Sequence, residues 1–99
     1  MFSKVSVIKE FVAAEYGVTV FEINNTGRRG KKVSPARHLA QYLVRKNTSL
    51  SYPRIGVVFN ADASSVRYAV KKIDSGIKTN SRLANLCATI SNRINCMKG

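Results

Sequence analysis

The chain is poor in acid, histidine and cysteine, and each shortage closes off a class of function. Only five Asp and Glu residues, Glu10, Glu15, Glu22, Asp62 and Asp74, stand against seventeen Lys and Arg in 99 residues. Spread singly, they offer no carboxylate pair for acid–base hydrolysis, and no nucleophile has a base in sequence reach. His38 is the only histidine. Neither Cys nor acid lies at ligand spacing from it, so no metal site is expected. Gly27-Arg28-Arg29-Gly30 lacks the Gly-Lys-Ser/Thr ending of a Walker loop, which removes ATP hydrolysis. Cys87 and Cys96 fall in one expected helix, about 13 Å apart along its axis and on opposite sides, too far to bridge. Long apolar runs are also missing: nothing approaches the roughly 18 continuous apolar residues of a membrane span, and Lys9 and Glu10 interrupt the opening stretch. There are no internal repeats and no low-complexity segments. The chain reads as a soluble, cytoplasmic, non-enzymatic protein with no cofactor, no membrane partner and no small-molecule substrate.

What is abundant is positive charge, formally +12. Such a charge also suits solubility, a membrane surface or an acidic protein, but its clustering favours nucleic acid. From Arg28 to Lys46 there are seven basic residues and no acid. The length suits one domain, 1–99, able to fold alone. Met1 lies close to the first expected helix and Gly99 to the last, so a free-standing protein is expected, with an excised domain as the open alternative.

Apolar spacing gives an all-α order of about six helices, a small helical bundle. Val5, Ile8, Phe11 and Val12 form one face of the first helix, which Tyr16-Gly17 stops. Val18 to Asn25 is ambiguous, since VTVF is strand-like, but a lone strand is unstable, so a turn and a short helix around Phe21 to Asn24 are expected. Asn24 to Lys32 reads as a loop, its basic part extending over 27–34. Ser34-Pro35 reads as an N-cap followed by Pro at the first helical position, and the helix buries Leu39, Ala40, Leu43 and Val44 as far as Asn47-Thr48. A last helix, about Ser81 to Asn95, places Cys87 in the stripe of Leu83, Leu86, Ile90 and Ile94 as a core thiol.

Between these lies the most informative segment, Ser51 to Ile73. Ile55, Val58 and Phe59 keep helical period in its first half, and Val66, Ala69, Val70, Ile73 and Ile77 continue it in the second and beyond. Asn60-Ala61-Asp62 interrupts them, with Asp62 the expected N-cap of the second helix. This is the form of a helix-turn-helix, about 52–75, with Ser64, Arg67, Tyr68, Lys71 and Ser75 outward, where a recognition helix meets bases and phosphates. Asp74-Ser75-Gly76 is expected to weaken this helix near its end.

The order of elements and several strings resemble the C-terminal DNA-binding domain of the bacterial replication initiator DnaA, from about Val12 to Ile94. Glu15-Tyr16-Gly17-Val18-Thr19-Val20 resembles the family's entry segment, and Arg28-Arg29-Gly30-Lys31-Lys32 its basic loop. Pro35-Ala36-Arg37-His38-Leu39-Ala40-Gln41-Tyr42-Leu43 resembles the helix that usually carries Arg-Gln-x-Ala-x-x-Leu. Ser51-Tyr52-Pro53-Arg54-Ile55-Gly56 with Phe59 resembles Ser-Leu-Pro-Glu-Ile-Gly and Phe, and Asp62-Ala63-Ser64-Ser65-Val66 lies where the signature has Asp-His-Thr-Thr-Val. The resemblance implies a Trp-repressor-like fold that binds double-stranded origin DNA, in the bacterial nucleoid or encoded by a phage of a bacterial host. It also departs from the pattern. Asn60-Ala61-Asp62-Ala63 is one residue shorter than Gly-Gly-Arg-Asp-His and lacks its Arg; Ala63 replaces one His, Tyr68 stands for a second, and His38 for a Gln. The missing Arg and Ala63 fall on the base-reading end, whereas the Gln that His38 replaces contacts the backbone, so fold and DNA affinity carry over better than the initiator's own site.

The expected contacts follow. Arg28, Arg29, Lys31 and Lys32 sit before a helix N-terminus that already favours anions, and the resemblance sends a basic side chain, best aligned with Lys31, into the minor groove. Arg37 and Arg45 brace flanking phosphates near the ends of the next helix, with His38 beside them. Tyr52 and Pro53 open the helix-turn-helix, although Tyr16, Tyr42 and Tyr52 also read as packing residues. Asp62, Ala63, Ser64, Ser65, Arg67, Tyr68 and Lys71 form the reading helix; Arg67 suits either a guanine edge or a phosphate, and Tyr68 either stacking or packing. Replication initiation, its regulation, or transcription regulation is the expected role. A protein of another class is the alternative: a module binding an initiator or polymerase subunit through its charge.

Overall fold

The apolar face of the opening segment becomes α1, Lys4–Tyr16, in a computed structural model that describes residues 4–24 and 32–96. Gly17 ends it in the left-handed region at φ 67°. The Val18 amide reaches back to the Ala13 carbonyl at 3.0 Å and the Gly17 amide to Ala14 at 3.4 Å, the pair of bonds that satisfies a helix's last carbonyls. The strand-like VTVF then turns into α2, Val20–Asn24. Its cause is a reciprocal cap: Thr19 Oγ1 accepts from the Glu22 amide at 3.1 Å, while Glu22 Oε1 accepts from the Thr19 amide at 3.0 Å.

Helix α3, Val33–Asn47, begins earlier than expected. Lys32, not Ser34, holds the cap position and makes no side-chain cap bond. Val33 is buried, which draws the first turn inward, and Pro35 is tolerated inside that turn because no amide there has an intrahelical partner. Helix α4, Tyr52–Phe59, follows, and α5, Ala63–Thr79, runs three residues beyond the expected weak point at Asp74-Ser75-Gly76. Asp74-Ser75-Gly76 does not weaken it because Gly76 is a packing position, where a Cβ would stand 3.1 Å from Leu83 Cδ2. Asn80 ends α5 and caps α6, Ser81–Cys96, its Oδ1 accepting from the Leu83 amide at 3.2 Å.

The six helices of the described residues share one apolar cluster. Helix α3 is its centre, touching each of the other five. Its Leu39, Ala40, Leu43 and Val44 are fully buried against Ile8 and Val12 of α1, Ile55 and Phe59 of α4, and Val66 of α5. Cys87, Ile90 and Ile94 of α6 close the cluster. Cys87 is the core thiol expected of it, with burial raising its pKa to about 11. Lys9, which broke the apolar pattern of α1, is itself buried: its ammonium lies 4.6 Å from the Phe59 ring centre and donates to the Val58 carbonyl in the last turn of α4. A cation there also meets the negative end of the α4 dipole.

Candidate nucleic-acid interface

The turn between α4 and α5 is built by backbone. Asn60 adopts the left-handed conformation at φ 56°, and the Ala61 amide bonds the Gly56 carbonyl at 2.8 Å. A Cβ on Gly56 would collide with the Ala61 carbonyl oxygen, so the sharp return of the chain needs glycine. Asp62 then caps α5, its carboxylate accepting from the Ser65 amide at 2.8 Å. The Ser65 hydroxyl first, and then this amide bond, hold the carboxyl below its ordinary pKa, so it is ionised at neutral pH. The Asn60 side-chain amide donates to the Asn24 carbonyl at 2.9 Å. The residue that opens the expected basic loop is therefore tied to the turn. Arg28, Arg29 and Lys31 of that loop lie outside the described residues, and Lys32 is exposed at the start of α3.

With Val66, Ala69, Val70 and Ile73 buried, Ser64, Arg67, Tyr68 and Lys71 stand exposed at helical spacing. Ser65 is exposed as well, Ala63 is half-buried, and Pro53 is exposed on the first turn of α4. Two clusters join α5 to its neighbours. Tyr68, 59% exposed although aromatic, sets its ring edge-on to His38 of α3, centroids 6.0 Å apart, with the Lys72 ammonium 5.8 Å from its centre. Burial, and then the charges of Lys72 and Arg37, hold His38 below its ordinary pKa. It is a neutral imidazole at pH 7. In the second cluster, Arg45 of α3 and Arg67 of α5 both approach the half-buried Tyr52 ring, at 4.4 and 5.3 Å.

Arg37 has a structural duty beside the one expected. Its Nε and Nη2 donate to the carbonyls of Ile23 and Glu22 at 3.0 and 3.1 Å, fixing the end of α2 to α3. An open cleft of about 840 Å³ separates this corner from the turn, bordered by Ser34, Arg37, His38, Gln41, Asp62 and Ser65. Sequence reasoning missed Lys72, whose position four residues after Tyr68 was the available signal, and missed the Asn60 anchor, which needs a partner 36 residues away. Among the described residues no group of three or more His, Cys, Asp or Glu is placed to hold a metal, and no helix is long and apolar enough to cross a membrane.

Comparison with known proteins places this arrangement. The family described as the bacterial DnaA protein helix-turn-helix matches residues 5–73. The chain belongs to that family. Among DnaA relatives, described as chromosomal replication initiator proteins, that of Picosynechococcus is 38% identical over 90 residues, 90% of this chain and 20% of the relative. That of Deinococcus radiodurans is 43% identical over 83 residues, 84% of this chain and 18% of the relative. The chain thus spans about a fifth of the length of the curated DnaA proteins it matches. A crystal structure of a DNA replication initiation factor superposes with a TM-score of 0.79 at 32% identity, covering 92% of this chain and 28% of that one. The all-α bundle and the DnaA resemblance read from the sequence are both borne out.

Proposed function

We propose that the chain is a single DNA-binding domain that holds double-stranded DNA in replication initiation or its regulation, without a catalytic step. The observation that carries this is the exposed basic and aromatic face made by α3, α4 and α5, in a chain of the DnaA helix-turn-helix family. In this reading α5 enters the major groove. Asp62 orders its first turn, and Ser64 and Ser65 face base edges with hydroxyls but without the methyl groups that Thr would bring to thymine. Lys71 holds the backbone beside them. Arg28, Arg29 and Lys31 supply the minor-groove and phosphate contacts of the basic loop, with Lys32 at its end. Ala63 and the short turn move the preferred sequence away from the initiator's own site. The place of action is the DNA of a bacterial cell, and transcription regulation is a compatible outcome of the same contacts.

A mobility-shift titration tests this. Duplex binding should weaken with salt at a log–log slope of about −4 to −6 if about five or six phosphates are neutralised. Lys31→Ala should weaken all sequences alike, whereas Ser64→Ala or Ser65→Ala should alter which sequence is preferred, by about 1–3 kcal/mol per lost base contact. Absence of duplex binding at low salt would remove the proposal.

A further inference from the structure

One tyrosine ring gathers two arginines from different helices. Arg45, in the last turn of α3, stands 4.4 Å from the centre of the Tyr52 ring and donates Nη1 to the Leu50 carbonyl at 3.0 Å. Arg67, on the exposed face of α5, stands 5.3 Å from the same centre. Among the described residues neither guanidinium is paired with a carboxylate. Two like charges drawn to one ring repel each other, and the attraction of a half-exposed ring for each is modest. An anion within reach of both relieves that repulsion.

The geometry also says which part of DNA supplies the anion. A guanidinium packed on a ring keeps its N–H edge available and can grip a phosphate bidentately without leaving the ring. Arg67 is held at the Tyr52 ring beside Arg45 of α3, and it is the fifth residue of α5, behind Ser64 and Ser65, whereas a helix-turn-helix reader meets base edges first with its N-terminal residues. We propose that Arg45, Tyr52 and Arg67 form a phosphate clamp, in which Tyr52 is a positioning residue and Arg67 holds the DNA backbone rather than a base. The clamp rests on the DNA-binding reading above.

Anisotropy titrations of the full chain, against a duplex selected for tight binding and a random-sequence duplex over a salt series, test it. Arg67→Ala should weaken both duplexes by the same factor and reduce the log–log salt slope by about 1. Tyr52→Leu removes no charge, yet should weaken both by about two- to fivefold as the arginines lose their platform. Tyr52→Phe, which keeps the ring, should recover most of that loss. A reordering of sequence preference by Arg67→Ala would make Arg67 a base reader and overturn the clamp. So would wild-type affinity in Tyr52→Leu, or a Tyr52→Phe as weak as Tyr52→Leu, which would make the hydroxyl the contact. Arg67 is exposed, so its variant decides the matter even if Tyr52→Leu fails to fold. No binding by the wild-type chain overturns the DNA-binding reading itself, a result distinct from normal wild-type binding with unaltered variants.

Discussion

His38 shows how a single residue of the proposed interface takes its properties from its neighbours. It is half-buried on α3, edge-on to Tyr68, with Lys72 of α5 and Arg37 of α3 adding positive charge. Asp62, across the same cleft, stays ionised because its own pKa is depressed. The folded-state pKa of His38 therefore lies below that of the unfolded chain. As pH falls through about 6.5 the unfolded chain takes up the proton first, so His38 lowers stability progressively below that value and has no such effect above it. A DNA phosphate brought to this corner offsets Lys72 and Arg37 and draws the pKa back up. Binding then takes up protons, and affinity should rise between pH 7.5 and 5.5 more in the wild type than in His38→Gln. Identical pH profiles for the two proteins, measured by anisotropy, would show that His38 does not titrate with binding. None of this was visible in the sequence, where the histidine could be placed beside arginines on its own helix but not opposite Tyr68 and Lys72.

At the scale of elements, legibility followed the range of the interaction that fixes each one. Gly17, Asp62 and the apolar faces of α1, α3, α5 and α6 act through neighbours a few residues away, and their sequence signals were sufficient. The short helix α2 was recovered by excluding a strand, although Thr19 and Glu22 carry a capping box that specifies it directly. The end of α5 lies beyond the position its sequence suggests, because Asp74-Ser75-Gly76 is a poor helix former only when alone. Packing of α6 at Gly76 overrides that local preference. The candidate site divides in the same way. Outward residues of α5 could be assigned by period, whereas the rings and cations that meet across α3, α4 and α5 depend on the fold. Gly56 belongs to both levels, since its place in the string was plain but its steric reason was not. Gly56→Ala should push Ala61 and the start of α5 away, lowering stability by about 1–3 kcal/mol, as overpacking does, and weakening DNA binding through the displaced N-terminus of α5. Urea unfolding with an unchanged midpoint would mean that the turn yields without cost.

For the whole molecule, the excess of seventeen basic over five acidic residues makes salt act with opposite signs on the free and bound protein. In the free chain a formal charge of +12 opposes compaction, and added sodium chloride screens that repulsion over a Debye length of about 8 Å at physiological strength. The free protein should therefore gain thermal stability as salt rises. Bound duplex adds stability by mass action, about 2.7 kcal/mol at a hundredfold excess over Kd. With a log–log slope near −5, a rise from about 50 to about 200 mM salt lowers affinity by about a thousandfold. That removes up to about 4 kcal/mol of DNA-derived stabilisation when the duplex is in large excess. Thermal unfolding followed by circular dichroism should thus give a midpoint that climbs with salt for the free chain and falls with salt when duplex is present, the two curves converging once binding is lost. Midpoints that move in the same direction would place the charge outside the binding surface, because only cations that face phosphate exchange self-repulsion for attraction.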